Sequence, residues 1–292
     1  MKKLICLFLL LMLLGGCGRQ ESEPIVASTA PVQQFAQAVC EGTGLEVGLI
    51  VSDSVACLHD YTLSVRQMVA LEKAQTVIIT GGGLEAFMED ALASKDRVIA
   101  CADGAELLCT EHAHDHAHEH EHDHAHETYD PHIWLDPDNA AVMVRNIALQ
   151  LGEVYPQHAA QFAENAEACC ARLAVLKEEG LAALEDISCR GLITFHDGFA
   201  YFAHAFDLEI LAAIEEEAGS EASAKDLKAM VELVREAGVP AVFVEQDGSH
   251  SAAAIISDET CCRIGVLDTA LSGSDYFAAM EANILAVKEV MQ

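Results

Sequence analysis

Twice along this chain, short apolar runs alternate with amphipathic stretches, and the two series are separated by residues 157–186, which no proline interrupts. In the first series, 24–28 and 46–51 read as strands around a helix at 31–40, with Pro31 in its first turn. A helix at 64–74 follows, then the β-branched strand Thr76-Val77-Ile78-Ile79, Gly81-Gly82-Gly83, a helix from Leu84 and a strand at 97–100. A helix at 138–155 ends at Pro156. In the second series, strands at 192–195, 210–214, 241–245 and 264–267 alternate with helices near 198–206, 223–237, 250–260 and 275–291. Such alternation predicts parallel sheets flanked by helices. Between the series, Phe162, Ala166, Cys169, Leu173 and Leu176 fall at spacings of four, three, four and three, one helical face. A helix of ~30 residues would be ~45 Å long, more than one lobe needs. The fold class expected is therefore α/β: two α/β lobes with parallel-type sheets, joined by one long rigid helix that Gly180 could kink. The boundaries are 25–155 for the N-terminal lobe, 156–186 for the connecting helix and 187–292 for the C-terminal lobe. About 270 residues also exceed the usual size of a single core.

The first residues stand outside this fold. Lys2 and Lys3 precede an uncharged apolar run at 4–14. At about 11 residues the run is too short to span a bilayer, which needs roughly 20. It has the proportions of a secretory signal. Leu14-Gly15-Gly16-Cys17 resembles a bacterial lipobox, which implies removal of 1–16 and lipid on the Cys17 sulfur. Residues 17–24 then read as a tether. The expected location is extracytoplasmic, lipid-anchored to a bacterial cell membrane.

A formal charge of −31 excludes nucleic acid as a partner, because phosphate binding demands clustered Lys and Arg. It also raises the local concentration of cations. Of eleven cysteines, Cys6 leaves with the signal and Cys17 carries lipid, so nine remain, with no C-x-x-C pair. Scattered thiols suit small buried sites; Cys189 with Cys261 or Cys262 is the disulfide to test first.

Residues 111–127 read EHAHDHAHEHEHDHAHE. Eight of the fourteen histidines stand here on alternate positions: His112, His114, His116, His118, His120, His122, His124 and His126. Such a segment cannot build a core and reads as a disordered loop. Its imidazoles offer lone pairs to Zn²⁺, Cu²⁺ or Ni²⁺, and a flexible chelate of this kind binds weakly and unselectively, as an accessory metal loop.

Three other histidines sit in junctions that precede a helix: His59 in CLHDY (57–61), His132 in DPHIWLDP (130–137) and His196 in TFHDGFAYF (194–202). His196 and Asp268 each directly follow a strand, and ligands of open α/β sheets bind beyond the carboxyl ends of strands. Taken singly, each His also reads as a capping or packing residue, and the long separations form no local ligand signature such as H-E-x-x-H.

DPHIWLDP closely resembles the motif of the cluster A-I metal-binding proteins of ABC importers. FHDGFAYF (195–202), LHDY (58–61) and TGGGLEAF (80–87) resemble other segments of that family, and the resemblance covers almost the whole chain after the tether. It implies a metal site in the cleft between the lobes. The implied ligands are His59, His132, His196 and Asp268, with Glu245 or water as the alternative fourth ligand, or Glu245 as a partner behind the site. Asp136 and Asp197 are candidates to orient ligating imidazoles. Leu58 stands where the family usually has proline, and Cys57 lies two residues before His59. His158, His204 and His250 match no ligand segment.

Manganese-type members of the family carry a carboxylate at the third ligand position, where this chain has His196. Three imidazoles and one carboxylate suit tetrahedral Zn²⁺, whereas Mn²⁺ prefers more oxygen. The implied function is capture of Zn²⁺ as a transported ligand and delivery to an ABC permease and its ATPase subunit, by a monomer and without catalysis. The alternatives are a manganese or iron receptor of the same family, a zinc hydrolase, or a zinc-storage or adhesion lipoprotein. A hydrolase would need a general base and a substrate pocket, and no motif supplies them.

Overall fold

The computed structural model describes residues 25–51, 58, 61–109, 129–215, 223–246, 248 and 250–292. The signal, Cys17 and tether, Cys57, His59 and the histidine-rich segment 111–127 lie outside the described residues.

Two four-stranded parallel sheets form, as the alternation predicts. The first comprises β1 (Ile25–Ala27), β2 (Val47–Leu49), β3 (Thr76–Ile79) and β4 (Val98–Ala100), in the order β2-β1-β3-β4. The second comprises β5 (Gly191–His196), β6 (Glu209–Glu215), β7 (Ala241–Glu245) and β8 (Arg263–Leu267), in the order β6-β5-β7-β8. The order reverses between β1 and β3 in one sheet and between β5 and β7 in the other. Those reversal points open crevices beyond the strands' carboxyl ends.

Helices α1 (Ala30–Cys40), α2 (Val65–Lys73) and α3 (Glu89–Leu92) belong to the first lobe. The helix expected from Leu84 begins instead as a 3₁₀ turn over Leu84–Met88. Helix α4 (Pro137–Val154) starts with Pro137 in its first turn, where a missing N–H costs nothing, and Asp136 caps it by accepting from the Asp138 N–H at 2.8 Å.

The connecting helix α5 spans Ala159–Ala183, 25 residues, after a 3₁₀ turn at Pro156–His158. It is shorter than the expected 156–186, about 37 Å long at 1.5 Å per residue. It continues through Gly180 without a kink. A Cβ at Gly180 would stand 2.3 Å from Phe206 Cε1 and 2.8 Å from Ile284 Cδ1, so the glycine permits close approach by the second lobe. That lobe adds α6 (Ala200–Ala205), α7 (Ala224–Ala237), α8 (Ser251–Thr260) and α9 (Tyr276–Val290).

One buried cluster runs through both lobes. It includes Phe35 and Val77 of the first lobe, Trp134, Phe162 and Leu173 at the junction, and Phe202, Leu267 and Tyr276 of the second. A smaller cluster, with Ile193, Phe195, Val234 and Ile256, fills the far face of the second sheet. Alternate β5 residues thus face different cores, as in parallel sheets covered on both sides. The eight described cysteines that remain are all free thiols, so the expected Cys189 pairing with Cys261 or Cys262 is absent.

Candidate metal centre

His132 and His196 meet at the junction of the lobes. His196 ends β5, beside the reversal point of the second sheet, and Glu245 ends β7 on the other side of it. His132 enters from the first lobe, in the turn before α4. Each histidine is 2 % exposed. Their Nε2 atoms lie 3.3 Å apart with the rings nearly perpendicular, at 84°. A tetrahedral ion with bonds of ~2.0–2.1 Å to nitrogen needs donor atoms ~3.3–3.4 Å apart, so the spacing matches one edge of such a shell. Glu245 Oε1 stands 3.9 Å from His196 Nε2. Gly198 leaves room for the convergence: a Cβ there would lie 2.6 Å from His196 Nε2 and 3.0 Å from His132 Cε1.

The orientation of His132 comes from Asp130. One oxygen, Oδ1, accepts both the His132 backbone N–H and Nδ1, each at 2.8 Å. The first contact is the local turn that Asp makes with the residue two positions on; it brings the same oxygen against the ring. With Nδ1 donating, the Nε2 lone pair is free for a cation. Burial opposes charge on this ring. The Asp130 carboxylate and its hydrogen bond, together with Glu245 and Asp197, outweigh burial and hold the His132 pKa above its ordinary value.

His59 lies outside the described residues, and Asp136, a candidate to orient a ligating imidazole, contacts neither His132 nor His196. Besides capping α4, its carboxylate faces Lys177 Nζ at 3.5 Å and His204 Nδ1 at 3.6 Å. Asp130 was the overlooked orienting group, and its signal was the two-residue spacing to His132 across Pro131. Asp197 lies close enough to act on His132 electrostatically.

Asp268 is 7 % exposed and follows β8, whose Leu267 pairs with Glu245. Its Oδ1 accepts the Ala270 N–H and its Oδ2 the Ser274 hydroxyl, both at 2.7 Å. The adjoining loop is pinned to the His132 segment: Trp134 Nε1 donates to the Thr269 carbonyl and the Tyr276 hydroxyl to the Trp134 carbonyl, both at 2.8 Å. Among the described residues, no group of three or more His, Cys, Asp or Glu side chains is gathered closely enough to hold a metal ion. His158, His204 and His250 are not part of the His132–His196 pair.

The reversal point of the first sheet holds another buried acid, Glu85. It accepts from the Ser28 hydroxyl at 2.7 Å, the Thr80 N–H at 2.8 Å and the Gly81 N–H at 3.0 Å. Burial pushes its carboxyl above the usual range despite those bonds. It fastens β1 to the Gly81-Gly82-Gly83 turn.

Comparison with known proteins bears on this geometry. Residues 25–290 match the family described as "ZnuA: Zinc-uptake complex component A periplasmic". The high-affinity zinc uptake system protein ZnuA of Brucella abortus (strain 2308) is 31% identical over 306 residues, covering 92% of this chain and 91% of that protein. A crystal structure of ZnuA superposes with a TM-score of 0.80 at 27% identity, covering 93% of this chain and all of that one. A zinc-bound ZnuA lacking residues 138–173 in its own numbering superposes with a TM-score of 0.76 at 26% identity, over 93% and 99% of the two chains.

Proposed function

From the premise that this chain belongs to the ZnuA family of periplasmic solute-binding components of uptake systems, which are not enzymes, we propose that it captures Zn²⁺ outside the cytoplasm and releases it to an ABC permease. The observation that carries this reading is the buried His132–His196 pair, 3.3 Å apart at Nε2, with Asp130 2.8 Å from Nδ1 of one ring. Imidazole nitrogens at that spacing favour a small borderline ion over one that prefers oxygen. His59 supplies the third imidazole and Asp268 the carboxylate, with Glu245 beside His196 as the other acid of the set. The two lobes contribute different ligands, so the ion enters between them and its water is replaced by the four groups. Lipid on Cys17 holds the receptor at the membrane surface next to the permease and its ATPase. The histidine-rich segment 112–126 gathers ions at low affinity.

Chelator competition on the chain lacking residues 1–16 tests the reading. Wild type should show one tight zinc class above a weak background. His132→Ala and His196→Ala should each remove the tight class and leave the weak one. Retention of the tight class in both variants would place the zinc elsewhere.

A further inference from the structure

Tyr201 is 1 % exposed and lies on α6, five residues beyond His196. Its hydroxyl crosses to the other lobe and accepts the Leu108 backbone N–H at 3.0 Å. Leu108 in turn accepts the Asp130 backbone N–H at 3.0 Å through its carbonyl. Asp130 holds His132 Nδ1 at 2.8 Å, and His132 Nε2 meets His196 Nε2 at 3.3 Å. The covalent chain from His196 back to Tyr201 closes the circuit.

We infer that Tyr201 is a positioning residue for the metal centre: its hydroxyl holds Leu108, and through it the hydrogen-bonded Asp130, against the second lobe and so aims His132 at His196. This rests on the reading of those two histidines as zinc ligands. The ring of Tyr201 packs in the core shared by the lobes, and phenylalanine would serve that purpose equally. What phenylalanine lacks is the acceptor for the Leu108 N–H, three hydrogen bonds from the ligating ring. Burial also pushes the Tyr201 hydroxyl up to about 12, with Asp130 adding to the shift, so it remains a neutral phenol at physiological pH. Groups that orient a ligand from behind typically change metal affinity 10–100-fold when removed.

The test uses the chain lacking residues 1–16, with Zn²⁺ read by chelator competition and Co²⁺ read by its visible absorption. Tyr201→Phe should weaken the tight zinc class about tenfold and alter the four-coordinate cobalt bands, while metal-free thermal unfolding stays close to wild type. Asp130→Ala should likewise weaken the tight zinc class and alter the cobalt bands. Because both act through His132, the double variant should bind no more weakly than the worse single variant. Unchanged zinc affinity and cobalt bands in Tyr201→Phe, or losses that multiply in the double variant, would overturn the inference. His132→Ala separates the two levels. If it spares the tight class, the zinc site itself is misassigned; if it removes that class while Tyr201→Phe changes nothing, only the role of Tyr201 fails.

Discussion

His132 binds protons and cations through the same nitrogen, and its surroundings favour both. Asp130, Glu245 and Asp197 stabilise the charged ring against the cost of burial, so its pKa is raised. A metal must displace that proton at pH values above the ordinary imidazole value of about 6.5. Zinc affinity should therefore begin to fall above pH ~6.5 as the solution is acidified, and chelator competition in buffers across that range checks it. A flat affinity there would exclude His132 as a ligand. The metal-free fold carries the opposite dependence. Stabilisation from the charged ring is present below the unfolded pKa and is lost as pH rises through the raised folded value. Little of this was legible residue by residue. A histidine and an aspartate two positions apart are visible in DPHIWLDP, but which of Asp130 and Asp136 faces the ring depends on the turn at Pro131.

At the scale of elements, periodicity carried most of the information. The strands of the first sheet and β7 fall within the predicted runs, and β5, β6 and β8 extend one residue past theirs; parallel strands covered on both faces read as continuous apolar segments. The connecting helix was legible from its four-three spacing of apolar residues, but the purpose of Gly180 was not. Glycine inside a helix usually weakens it, and alanine would gain about 1 kcal/mol from propensity alone. Here the added methyl would collide with Phe206 and Ile284. Overpacking costs about 1–3 kcal/mol, so Gly180→Ala should lower stability despite the better helix former. Urea unfolding of the metal-free chain measures this, and a net gain in stability would show that the two side chains can move aside.

For the whole molecule, the continuous buried cluster and the cross-lobe hydrogen bonds restrict motion. Gln34 of α1 donates to the Ser274 carbonyl at 2.8 Å and accepts from the Tyr276 N–H at 2.8 Å, adding a further tie between the lobes. Wide hinge closure would open packed core and break several of these bonds together, so zinc capture should proceed by local adjustment. Small-angle scattering should give indistinguishable radii of gyration with and without zinc. A measurable contraction would require the interface to part.

The sequence alone determined the alternation of strands and helices, the two lobes, the long joining helix and the segments that resemble a metal-receptor family. These follow from patterns of apolar residues and from short motifs, both local in the chain. Tertiary structure decided which groups meet. His132 and His196 are 64 residues apart yet 3.3 Å apart at their Nε2 atoms. Asp130 turns one ring, Gly198 leaves space for both, and Tyr201 ties the lobes behind them. Such convergence depends on the packing of one sheet's carboxyl edge against the turn of another lobe, and no periodicity along the chain encodes that distance.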